Sequence, residues 1–110
     1  MRTMIKRVGE SSKLYYIKRG DFHSQREYMR LFDEYAIDPD RCLIALYNGD
    51  LPTSKDRNFK VHSDGSLICG TVYIVRKTPD GVFHGLPPVE QEIAYNWLGN
   101  RCSWTRKDDG

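Results

Sequence analysis

A chain of 110 residues with 39% hydrophobic and 29% charged side chains supports one modest core and excludes a disordered or fibrous protein. At this length folding buries roughly 65% of the surface that the extended chain exposes. A net charge of only +2 falls short of the strong basic footprint of a dedicated nucleic-acid binder.

Cys42, Cys69 and Cys102 are widely spaced and form no Cys-x-x-Cys pair, which argues against a secreted disulfide scaffold and against a metal site. The basic start through Arg7 has no apolar stretch behind it, and the apolar run 42–47 is far short of the ~20 residues of a membrane span. The expectation is a cytoplasmic protein with no membrane partner. Charge is banded along the chain: residues 1–30 carry eight bases against three acids, and residues 31–52 carry one base against five acids. Such banding places a basic surface beside an acidic one, or pairs adjacent elements of opposite sign.

In chain order, residues 3–8 and 13–19 predict two short strands joined by a turn at Gly9-Glu10-Ser11-Ser12. In the second, Leu14, Tyr16 and Lys18 alternate with Lys13, Tyr15, Ile17 and Arg19, as expected of an edge hairpin. Ser24-Gln25-Arg26-Glu27 reads as a capping box that opens a helix. Tyr28, Met29, Leu31, Phe32, Tyr35 and Ala36 form its apolar face, and Asp38-Pro39-Asp40 ends it.

Residues 42–47 lack polar alternation and predict a central strand covered on both faces, closed by Asn48-Gly49. Residues 51–58 predict a loop, followed by a hairpin of residues 59–62 and 67–76 around Asp64-Gly65. Gly70 inside the longer strand predicts a bulge. Thr78-Pro79-Asp80-Gly81 predicts a turn into a short strand near Val82-Phe83-His84. Pro87-Pro88 opens a second helix with Val89, Ile93, Ala94, Trp97 and Leu98 on its apolar stripe and Gly99 as its cap. Residues 101–105 alternate as a last strand, and residues 106–110 predict a frayed tail.

Two helices supply too few crossovers for a parallel sheet. The expectation is a single α+β domain over residues 1–105: a mainly antiparallel sheet of five to seven strands, with both helices covering one face.

Residues 42–76 resemble an uncharacterised family of small proteins carried by bacteriophages and plasmids. The resemblance rests on Asn48, Leu51, Pro52, Arg57, Asn58, Gly70 and Thr71: a turn after a buried strand, a Leu-Pro loop with Asn and Arg, and a Gly-Thr before an apolar strand. Arg57-Asn58 stands in reversed order and the second helix is an addition. The resemblance implies a mobile-element origin and a small accessory role.

Three classes of function follow. The first is a non-enzymatic binding protein that inhibits or sequesters a host protein or a small nucleotide, using Arg57, Asn58 and Lys60 as donors and Tyr73, Phe83 and Trp104 as a wall. Seven tyrosines and two tryptophans also suit a protein interface, including a homo-oligomer formed through the hairpin or the second helix. The second is a nucleic-acid module built on Lys6, Arg7, Lys13, Lys18 and Arg19 interleaved with Tyr15 and Tyr16. The third is a metal-independent RNase-like enzyme in which His62 and His84 exchange protons beside Lys60 and Tyr73. Neither these histidines nor His23 sits at metal-ligand spacing, and the sequence holds no cofactor motif.

Overall fold

The computed structural model describes residues 1–51, 57–61, 65, 67–100 and 102–104. The strands are β1 Arg2–Lys6, β2 Lys13–Tyr16, β3 Asp33–Asp38, β4 Leu43–Tyr47, β5 Arg57–Val61, β6 Leu67–Cys69, β7 Val72–Lys77, β8 Phe83–His84 and β9 Cys102–Trp104. Helix α1 spans Arg19–Met29 and helix α2 spans Pro88–Asn100.

The fold is α+β. A six-stranded antiparallel sheet runs in the order β2-β1-β7-β4-β3, with β8 paired to β7, and a second sheet runs β6-β5-β9. As the apolar run predicts, β4 lies inside the large sheet, between β7 and β3. It begins at Leu43, because Cys42 takes a left-handed conformation at the end of a 3-10 turn over Pro39–Arg41.

Alternation along the strands divides the core in two. Met4, Leu43, Ala45, Val72 and Ile74 face one way and pack with Phe59, Val61 and Ile68 of the small sheet and with Ala94 and Trp97 of α2. Ile5, Ile44, Leu46, Tyr73 and Val75 face the other way and pack against Phe22 and Leu31. The helices therefore cover opposite faces, and the expectation of one shared face is corrected. One face has room for a single helix because the small sheet takes the rest of it.

The first helix also differs from expectation. It starts at Arg19, so Ser24 and Glu27 lie inside it rather than at its cap. It stops at Met29, where Arg30 turns left-handed at φ 57° and the Leu31 amide returns to the Arg26 carbonyl at 3.0 Å. That six-to-one closure is a Schellman ending, and it drives Leu31 into the core. Residues 33–38 then form edge strand β3 instead of a last helical turn. Tyr35 fits a helical stripe with Leu31 and Phe32, but it fits a two-residue alternation with the half-buried Ile37 equally well.

Gly70 replaces the expected bulge with a break. With φ at 73° it ends β6 and starts β7, sending the chain from the small sheet to the large one. The expected strand 67–76 is thus two strands in two sheets. The loop expected at 51–58 is shorter too, since Arg57 and Asn58 belong to β5. Residues 52–56, 62–64, 66, 101 and 105–110 of the expected loop, turn, last strand and tail lie outside the described residues.

The two sheets are locked by Asn58, only 2% exposed. Its Nδ2 donates to the Lys6 carbonyl at 3.0 Å and to the Gly70 carbonyl at 2.9 Å. Its Oδ1 accepts from Lys6 Nζ at 2.6 Å. The buried Lys6 ammonium also donates to the Glu10 carbonyl at 3.0 Å and lies 5.9 Å from the Phe59 ring centre.

Asn58→Ala is expected to lower stability by about 3 kcal/mol, because it removes partners from a buried ammonium and two buried carbonyls. Thermal unfolding followed by circular dichroism checks this, with a fall of roughly 10–20 °C expected at this chain length. Gly70→Ala is expected to cost about 2 kcal/mol, since the left-handed conformation disfavours a Cβ. That Cβ would also clash with Leu51 Cδ1, so adding Leu51→Ala restores only the steric share of the loss in the same melting measurement.

Candidate functional site

The end of the large sheet where β1 leaves and β7 enters carries two adjoining cavities. The first, about 430 Å³, lies between the C-terminal half of α1 and the start of β7, and is lined by Arg7, Ser24, Gln25, Tyr28, Thr71 and Tyr73. The second, about 290 Å³, is lined by Val8, Leu31, Asn48, Leu51 and Gly70. Met29 and Thr71 border both, so the two form one open groove.

Arg7, Tyr73, Gln25 and Asn48 are each held by hydrogen bonds. Arg7 follows β1 directly, donates from Nη1 to the Tyr15 hydroxyl at 3.0 Å and lies over that ring at 5.4 Å. Tyr73 sits on β7 facing α1, and its hydroxyl donates to Gln25 Oε1 at 2.5 Å. Burial pushes the Tyr73 phenol above its usual range, against the opposing pull of Arg7, so it is a protonated donor at neutral pH. Asn48 Nδ2 reaches the Met29 carbonyl at 3.4 Å, and Asn48 Oδ1 accepts from the Asp50 amide at 3.0 Å. At the lip, Tyr28 is 89% exposed. A cation, a phenol donor, a hydroxyl or amide on each wall and an exposed ring together can take up a small polar molecule with a flat part.

The three donors and three wall residues expected to share one ligand site are spread over both sheets. Tyr73 and Phe83 flank Phe22 on the α1 side of the large sheet, with ring centres 6.3 and 5.4 Å from it. Phe83 is buried, with the Arg26 and Lys77 cations over its ring at 4.8 and 5.5 Å. Asn58 is the buried lock between the sheets. Arg57, Lys60 and Trp104 lie on the small sheet, where Trp104 is the register partner of Phe59 on the opposite side of the molecule's core. Of the six, Tyr73 lines the groove.

The basic hairpin is split as its alternation predicts. Lys13 and Tyr15 pair with Ile5 and Thr3 toward the α1 side, while Leu14 and Tyr16 pair with Met4 and Arg2 on the other. Lys6 is buried, Lys18 precedes α1, and Arg19 donates to the Phe83 carbonyl. Of the proposed catalytic pair, His62 lies outside the described residues. His84 Nε2 lies 3.1 Å from the Thr78 hydroxyl, within the turn closed by Asp80. Among the described residues no three His, Cys, Asp or Glu side chains are grouped to hold a metal, and Cys42 is a free thiol. No helix among them is long and apolar enough to cross a membrane.

The groove was only partly visible in the sequence. Four of the seven residues that carried the family resemblance, Asn48, Leu51, Gly70 and Thr71, meet in the second cavity although they span 24 positions. Gln25 and Tyr28 gave no signal, because they read as ordinary residues of an amphipathic helix. Comparison of the chain with protein-family models, with curated proteins and with solved structures finds no match. Function is therefore read from the chain's own residues.

The 78–82 turn yields a test of its own. The Asp80 carboxyl is held below its usual range, first by the Thr78 hydroxyl and then by the Val82 amide. A depressed carboxyl stabilises the fold above its unfolded value of about 3.9 and loses that contribution as pH falls through the lower folded value. Asp80→Asn is expected to melt below wild type at pH 7, with the two melting curves converging once the pH drops beneath the folded carboxyl's range.

Proposed function

We propose that this chain is a small cytoplasmic, non-enzymatic binding protein that sequesters a small anionic ligand carrying a flat ring, of the nucleotide class, in the groove between α1 and β7. The observation that carries this reading is the meeting of Arg7, the Tyr73–Gln25 pair, Thr71 and exposed Tyr28 around one cavity of about 430 Å³. Arg7 offers charge-assisted donors to a phosphate or carboxylate, and the Tyr15 hydroxyl holds its guanidinium in place. Tyr28 offers a ring face for stacking, and Ser24, Gln25 and Thr71 offer the polar groups that orient a small ligand.

Within this reading the ligand site is the groove, and Tyr73 is retained from the six residues first expected. The accessory role implied by the mobile-element resemblance fits sequestration of a host signal, which needs binding and no chemistry. The face division of Tyr15 and Tyr16 and the burial of Lys6 favour a compact ligand over an extended nucleic acid strand, because successive stacked bases require aromatic rings on one face.

Thermal shift against a panel of mono-, di- and cyclic nucleotides tests the proposal. A ligand at 100 times its dissociation constant adds about 2.7 kcal/mol of stability, which raises the melting temperature by roughly 10–20 °C for a domain of this size. Arg7→Ala is expected to abolish most of the rise while leaving the unliganded melting temperature near wild type. No rise with any member of the panel, or an equal rise in Arg7→Ala, rejects the reading.

A further inference from the structure

The charge bands of the sequence become the two edges of the large sheet. Among the described residues β2 pairs only with β1, and β3 only with β4, so each leaves one side unpaired. The segment from Lys13 to Arg19 carries three bases and no acid, and the segment from Asp33 to Asp40 carries four acids and no base. We propose that copies of this chain add head to tail, the β2 edge of one copy pairing with the β3 edge of the next and continuing the large sheet through the assembly.

Topology sets the direction of this pairing. Every neighbouring pair in the row β2-β1-β7-β4-β3 is antiparallel, so β2 and β3 run the same way. A second copy placed alongside in the same orientation therefore presents β2 parallel to β3. The faces match in that arrangement. On the α1 side, Lys13 and Tyr15 of one copy meet Glu34 and Ala36 of the other. On the opposite side, Leu14 and Tyr16, exposed by 39% and 70%, meet half-buried Tyr35 and Ile37. Glu34 is already oriented by Lys77 at 2.6 Å, so Lys13 joins a fixed carboxylate. The register shift between Ala36 and Asp38 limits the ladder to the first part of β3.

Symmetric pairing is disfavoured by the same charges. Two β2 edges would bring the two basic segments together, and two β3 edges would bring acid against acid, and like charges across a strand pair destabilise it. A head-to-tail contact leaves a free edge at each end, so addition continues past two copies. With only four residues in β2, each contact is weak, and assembly depends on concentration and salt.

Sedimentation velocity of the full chain over a concentration series tests this in about 0.1 M and about 1 M salt, where the screening length falls from ~10 to ~3 Å. The mean mass is expected to rise with concentration beyond two copies in the lower salt and to return to one copy in the higher. Lys13→Glu on the β2 edge and Ala36→Lys on the β3 edge change exposed positions, and each is expected to remain monomeric at least tenfold above the wild-type assembly concentration. An equal mixture of the two is expected to assemble where neither does alone, because one intact β2 edge meets one intact β3 edge. Wild type that stays monomeric in the lower salt, wild type whose mass halts at two copies, or Lys13→Glu protein that assembles like wild type overturns the proposal. So does a mixture that gives only monomers.

Discussion

The arrangement of this molecule depends on one buried carboxamide. Asn58 ties the last residue of β1 and the Gly70 break to the small sheet, and it satisfies an ammonium that the core would otherwise penalise. Lys6 lies on the same side of β1 as Met4, facing the apolar cluster that holds Phe59 and Trp97. Once Asn58 fixes the small sheet there, α2 completes that face and α1 is left to cover the other.

The groove is a consequence of the same constraint. Gly70 must turn left-handed for the chain to pass from β6 into β7, and Leu51 occupies the space where a side chain would stand. This leaves Thr71 at the junction of the two cavities, beneath Met29 of α1. The Schellman ending at Arg30 sets where α1 stops, and so where Met29 and Tyr28 stand over the sheet. A helix carried on through residue 36, as the apolar periodicity suggested, would have removed β3 and with it the acidic edge. Groove and sheet edge thus occupy different parts of the molecule but trace back to the same two backbone reversals.

Much of the architecture was legible residue by residue. The run from Leu43 to Tyr47 reads as a covered strand because it has no polar alternation, and it is one. Pro88 and the stripe of Ile93, Ala94, Trp97 and Leu98 give α2, and the alternation of Lys13, Leu14, Tyr15 and Tyr16 gives an edge strand with two unlike faces. What misled was periodicity shared between two structures, since Leu31, Phe32 and Tyr35 satisfy a helix while Tyr35 and Ile37 satisfy a strand. The decision fell to Leu31, whose burial against the sheet outweighs one more helical turn.

The sequence by itself determined the elements whose signals are local: the strand types, the second helix, the turn at Gly81 and the alternating faces of the hairpin. Hydrophobic pattern and turn chemistry act over a few residues, so they need no knowledge of distant partners. Tertiary structure alone decided that residues 67–77 divide between two sheets, that the helices take opposite faces, and that Asn58 serves as a lock while Arg7 and Gln25 meet Tyr73. Those outcomes depend on contacts across 52 positions and more, where close packing and the satisfaction of buried polar groups choose among arrangements that local pattern leaves equal.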